Sequence, residues 1–140
     1  MKAGHRVFAA TVAASSVVAL SGCSIDRVLW GAEGSRVIET TEQVIAGASS
    51  GEQSSFACAD SVAVFGDAAA WDGLGAGEPE QHDPATSVDG PALDAAWRIN
   101  LEGVSRAGLE GEAMPTDVFY RETDAGLCVV DVIWQTVDAG

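Results

Sequence analysis

The residues best placed to do chemistry lie in one acidic stretch. Glu78, Glu80, His82 and Asp83 put three carboxylates and an imidazole within six positions. Oxygen donors at alternate positions suit Ca²⁺, and an imidazole would add a ligand for a transition metal. The regular calcium-loop arrangement of Asp and Asn around a central Gly is missing, so a solvated acidic loop with no metal is the favoured expectation. Just upstream, Trp71 abuts Asp72-Gly73-Leu74-Gly75. An exposed indole beside a flexible loop can stack on a sugar ring or a partner side chain, although a Trp at an element boundary more often plugs the core. Trp71, Glu78, Glu80, His82 and Asp83 are therefore the candidate ligand or metal loop. Gly47-Ala48-Ser49-Ser50-Gly51 fits the Gly-x-Ser-x-Gly pattern of hydrolases. That elbow needs a strand before it and a helix after it. Here a helical pattern precedes it, so the segment reads as a helix terminator. Asp131 interrupts an apolar run. It is expected to be paired with Arg98, Arg106 or Arg121, or to carry a raised pKa. No residue is assigned a catalytic role.

The N-terminus carries an address. Lys2, His5 and Arg6 are followed by an uncharged run from Val7 to Leu20 and then by Ser21 and Gly22. This is the three-part layout of a secretory signal, and its apolar run is shorter than the roughly 20 residues of a membrane-spanning helix. Leu20-Ser21-Gly22-Cys23 resembles the lipobox of bacterial lipoproteins. The resemblance implies that the Cys23 thiol receives a diacylglyceryl group and that the chain is cut just before it. Cys23 is thus the expected lipidation site. The resemblance covers residues 1–23 and carries nothing about the fold beyond them.

Composition narrows the function classes. Removing residues 1–22 leaves five arginines and no lysine against 21 acids, a net charge of −16. Such a chain repels phosphate backbones, so nucleic acid is not an expected partner. Without lysine there is no Schiff base and no Walker-type phosphate clamp. No Cys-x-x-Cys and no dinucleotide-binding glycine pattern is present, and no cofactor is expected. With Cys23 taken by lipid, Cys58 and Cys128 form an even pair in an exported chain, and one disulfide between them is expected.

These residues need elements to position them. The expected division is a cleaved signal over 1–22, a lipidated Cys and tether over 23–34 and one small domain over 35–140. Val37, Ile38, Thr41, Val44, Ile45 and Ala48 recur at helical spacing, which predicts a helix over 35–48 stopped by the Ser/Gly cluster at 47–51. A strand is expected around 58–65. Residues 72–91 read as a long irregular loop that is either functional or disordered. Leu93, Trp97, Leu101 and Val104 predict a helix over 91–106, with a strand around Arg98-Ile99-Asn100 as the alternative. Residues 117–122, the turn Thr123-Asp124-Ala125-Gly126 and residues 127–137 predict an antiparallel hairpin. On its second strand Cys128, Val130, Val132 and Trp134 should share one face, and Leu127, Val129, Asp131 and Ile133 the other. Both faces are apolar, which predicts a central strand, and Trp97 and Trp134 are expected in the core. The fold class expected is α+β: one or two helices on a small antiparallel sheet.

Two functions from different classes follow. The first is a lipid-anchored extracytoplasmic lipoprotein of the cell envelope, binding an envelope protein or ligand or serving as an accessory subunit. The second is a small lipid-anchored hydrolase using acidic residues, with or without His82.

Overall fold

The computed structural model describes residues 23–85, 94–103 and 108–138. The signal expected over 1–22 lies outside them, as do both ends of the helix expected over 91–106.

Helix α1 spans Cys23–Ser49 and is broken at Gly31, whose φ of 72° and ψ of −179° are not helical. The stretch after the break carries the expected stripe. Val37, Thr41, Val44, Ile45 and Ala48 are buried at three- and four-residue spacing, while Glu39, Glu42 and Gln43 are exposed. The helix ends as its sequence dictates. Gly51 takes a φ of 77°, its N–H donates to the Ala48 carbonyl at 3.2 Å, and the Glu52 N–H donates to the Gly47 carbonyl at 2.7 Å. This glycine-closed end satisfies carbonyls that the helix leaves free. Ser49 and Ser50 both donate their hydroxyls to the Ala46 carbonyl, at 3.0 and 2.9 Å. The Gly-x-Ser-x-Gly segment is therefore a helix cap.

Four strands follow: β1 (Gly75–Gln81), β2 (Trp97–Glu102), β3 (Ala113–Thr123) and β4 (Gly126–Thr136). They form an antiparallel sheet in the order β1-β2-β3-β4, ending in the β3–β4 hairpin. Val37, Val44 and Ile45 of α1 join Trp97, Ile99, Val118, Tyr120, Val129 and Val132 of the sheet in one core, extended by Phe65 and Trp71. The fold is α+β with a single long helix among the described residues. Inside the core the Thr41 hydroxyl donates to the Val37 carbonyl at 2.7 Å. Its one proton is thereby used, so the Tyr120 hydroxyl, 2.8 Å away, donates to Thr41 Oγ1. Both buried hydroxyls are satisfied.

Several sequence expectations need correction. Over 91–106 the described residues form strand β2, not a helix. Trp97 and Leu101 are four apart, an even number, so they fit a helical stripe and a strand face equally. Ile99 between them completes the strand face, while Arg98, Asn100 and Glu102 alternate outward. Within the expected irregular stretch 72–91, Gly75–Gln81 is strand β1. Its glycines and proline have low strand propensity, and it survives as an edge strand where Pro79 forfeits no needed ladder bond. Side chains hold it instead. The Glu42 carboxylate accepts the Ala76 N–H and the Asn100 carboxamide oxygen accepts the Glu78 N–H, each at 2.7 Å.

No strand forms over 58–65. The segment makes a single parallel bridge, Ala57 to Val129, and lies along β4. Strand β4 is thus an edge strand of the sheet and not a central one, but its free edge is covered. The Cys58 N–H donates to the Val129 carbonyl at 2.9 Å, the Val129 N–H to the Phe56 carbonyl at 2.8 Å, and the Val62 N–H to the Val130 carbonyl at 3.1 Å. This cover also hides the exposed ladder groups that make an open edge a liability. The Cys58–Cys128 disulfide pins it, with Cα atoms 5.0 Å apart.

The expected face assignment on β4 breaks at a bulge. Pairing passes from Phe119–Asp131 to Tyr120–Val129, which leaves Val130 as an extra residue. Val129 and Val132, three apart, therefore both reach the helix-facing core. Asp131 makes no ion pair with an arginine among the described residues. Its carboxylate accepts the Val132 N–H at 2.8 Å. The buried carboxylate is that of Asp117, which takes the guanidinium of the exposed Arg98 at 2.9 Å. Arg121 bonds Asp60 at 2.7 Å and lies 3.3 Å from Asp94. The hydrogen bond from Arg121 holds the Asp60 carboxyl below the usual carboxylate range.

Candidate functional site

The acidic loop does not assemble as a centre. Glu78 and Glu80 lie on exposed positions of β1 and share a shallow polar hollow of about 380 Å³ with Arg98, Asn100 and Glu102. His82 follows the strand. Its backbone N–H donates to the Ala96 carbonyl at 2.9 Å, and its ring packs edge-on against Phe119 with centroids 5.0 Å apart. His82 Nε2 is buried there with no hydrogen-bond partner. Asp83 turns away to accept the Ala85 N–H at 2.9 Å. Among the described residues, no three ligating side chains converge on a point where a metal ion would sit. Trp71 is fully buried, so its face is not available to a ligand.

A larger concave surface lies away from the acidic stretch, beside residues 64–72. Phe65 and Val64 sit in a loop gripped by two indoles. Trp71 Nε1–H donates to the Phe65 carbonyl and Trp134 Nε1–H to the Val64 carbonyl, each at 2.6 Å. The two indoles meet edge to face with centroids 6.3 Å apart, and Phe65 packs on Trp71 at 6.0 Å. Aromatic pairs in this geometry contribute about 0.5–1.5 kcal/mol beyond their burial. Gly66 makes the grip possible. It adopts a φ of 61°, and a Cβ there would stand 2.6 Å from Trp134 Cη2. Trp71 is the inner, buried member of the pair and Trp134 the outer, half-buried one.

Outside this clamp lies a groove of about 710 Å³. Val64, Ala69, Ala70 and Trp134 give it an apolar side, Leu109 lines it from the segment that leads into β3 and Met114 from the start of β3 itself, and Asp67, Asp72 and Glu112 add carboxylates. The segment 108–112 is itself folded back on β4. Gly111 and Val137 exchange an N–H···O bond at 2.9 Å, and Val137 returns one to Glu112 at 2.9 Å. Glu110 in this turn accepts its own N–H and that of Gly108, which holds its carboxyl below the usual range. The arrangement is an apolar slot edged with negative charge, and it fits a ligand with an apolar body and a cationic group.

Trp134 is where the expectation of a core residue needs refinement. It packs against the core from outside and presents the rest of its indole to the groove. Its place on an apolar stripe of β4 reads as core in sequence. Only the loop 64–72, brought alongside by the disulfide, turns it into a wall.

Comparison with known protein families, with curated proteins and with solved structures finds no match to this chain.

Proposed function

We propose that this chain is a lipid-anchored extracytoplasmic binding module of the cell envelope, held to the membrane through acylated Cys23, with the Trp134 groove as its ligand seat. The groove carries the binding part of the reading: an apolar slot beside a fixed indole, with Asp67, Asp72 and Glu112 on its border. The sequence Leu20-Ser21-Gly22-Cys23 supports the anchor, and the Cys58–Cys128 disulfide suits an exported chain. The favoured ligand class is an organic cation with an apolar body, drawn by three carboxylates and by the indole face.

The competing hydrolase finds no specific support. It would use acidic residues, and His82, its optional addition, has Nε2 sealed beside Phe119 without a partner.

Two measurements test the proposal. Mass spectrometry of the protein taken from its native envelope should give a diacylated N-terminal Cys23. An intact N-terminus without acyl chains refutes the anchor. Titration with an aryl trimethylammonium ion, against its neutral isostere, should shift amide resonances at Val64–Asp72 and Trp134 for the cation alone. Shifts of equal size for both, or none, refute the charge-reading groove.

A further inference from the structure

The first eight residues of α1 carry a second apolar stripe that the protein does not bury. Ile25, Val28 and Leu29 are 66%, 85% and 67% exposed, and Trp30 beside them is 38% exposed. Positions 25, 28 and 29 follow the three-and-four spacing of one helical face. In the stretch after Gly31 the same spacing is filled against the sheet. Before it, the apolar face meets no element of the described fold. Gly31 turns the chain between the two stretches, and no neighbouring atom lies within 4 Å of where its Cβ would be. Trp30 stands at the junction: a Cβ on Gly34 would lie 2.7 Å from Trp30 Cβ and 3.4 Å from Pro79 Cγ. Gly34 thus lets Trp30 close against the body of the protein while part of its indole stays free.

We propose that residues 23–30 lie in the membrane surface as an interfacial helix, with Ile25, Val28 and Leu29 turned into the acyl region and Trp30 at headgroup level. The inference rests on the lipid anchor at Cys23 proposed above. The helix starts at Cys23 itself. With a rise of about 1.5 Å per residue, Ile25 stands about 3 Å and Leu29 about 9 Å along the axis from the point where acyl chains enter the bilayer. An apolar face that begins at the anchor and ends within a nanometre of it has one surface within certain reach. Arg27, exposed in the same stretch, suits lipid phosphates, and Trp favours the water–lipid boundary. The strongly acidic body, which an anionic surface repels, then stands off beyond Gly31. The stripe sets the body's orientation on the membrane, where acyl chains alone would leave it free to swing.

The test bypasses biological acylation, so that it does not fail with it. The chain from residue 23 is coupled through the Cys23 thiol to a maleimide-bearing lipid in phosphatidylcholine vesicles, with Cys58 and Cys128 kept as the disulfide. A reporter indole is placed on the stripe by Val28→Trp, in a Trp30→Phe background, or at the far hairpin turn by Ala125→Trp in the same background. Bromine-labelled lipid tails, which quench only at near contact, should lower emission at the stripe reporter at least about twofold more than at the turn reporter, each read as the difference from the Trp30→Phe parent, which keeps Trp71, Trp97 and Trp134. Equal quenching of both, or none of either, overturns the proposal. Light scattering of the uncoupled protein covers the other occupant. A dimer that Val28→Asp dissociates would assign the stripe to a second copy and overturn it as well. A native N-terminus lacking acyl chains, with the quenching result as expected, would instead refute the anchor and leave the stripe a membrane-seeking surface.

Discussion

One helix holds two apolar stripes of opposite fate. Residues 32–49 set Val37, Val44 and Ile45 against the sheet, while residues 23–30 leave Ile25, Val28 and Leu29 in the open. Spacing does not separate them, since both follow helical periodicity. What differs is whether a facing surface exists within the chain. The second stretch packs over the sheet, most closely on β1, and joins Ile99, Val118 and Val129 in one core. The first stretch is cut from that surface by the turn at Gly31. An amphipathic pattern thus says that a face will be covered, and the topology decides whether the chain itself does the covering.

The largest way to break the comparison is to loosen the surface that the second stretch needs. Replacing both Cys58 and Cys128 by Ser frees the segment that covers β4. The bridge closes an interval of 70 residues, for which chain entropy gives about 4 kcal/mol. That is a large share of the roughly 5–15 kcal/mol of a small domain. Denaturant unfolding should show a loss of this size. A loss below about 1 kcal/mol would mean that the 56–64 segment holds β4 through its hydrogen bonds alone.

A smaller and sharper break is Tyr120→Phe, which removes the hydroxyl that links β3 to Thr41 of α1. Thr41 keeps its bond to Val37, so the cost should be about 1 kcal/mol. Burial holds the Tyr120 phenol above its ordinary pKa of 10.0. A group raised in the folded state favours folding below its unfolded pKa and withdraws that support as pH rises past it. From neutral pH upward, stability should therefore stay level to about pH 10 and fall above it, and Tyr120→Phe should flatten that fall. This is the chain's one tyrosine, so phenolate absorbance reports it alone. Ionisation of the folded protein at the free-phenol pKa would contradict the burial of Tyr120.

The same comparison explains how much was legible in advance. The stripe from Val37 to Ala48 and the β3–β4 hairpin carry their own periodicity and turn residues, and the disulfide follows from an even cysteine pair. Strand β1, with Gly75, Gly77 and Pro79, carries no such pattern, because Glu42 and Asn100 from other elements hold it at Ala76 and Glu78. Strand β2 was ambiguous because an even spacing satisfies both periods. The face order of β4 was hidden by a bulge, which no local residue announces. For the candidate site, the chemistry-bearing letters at 78–83 pointed elsewhere than the groove. Residues far apart in sequence make its walls, and an ordinary Trp and several Ala and Gly residues give it shape.

The smallest expected effect is the one that best separates the two stretches. Val28→Ser with Leu29→Ser replaces two aliphatic side chains that bury little in the folded protein. If they belong to no part of the fold, the unfolding midpoint should move by an amount equivalent to at most about 0.5 kcal/mol, as for surface substitutions away from caps and networks. Val44→Ser, the same kind of change in the buried stretch, removes packing and places a hydroxyl at a fully buried position. It should cost several times more, because both the lost apolar contact and the desolvated hydroxyl count against it. Thermal unfolding of the two variants side by side gives the contrast directly. A matching loss in both would mean that residues 23–30 pack on the domain in solution, and the stripe would then have an intramolecular partner after all.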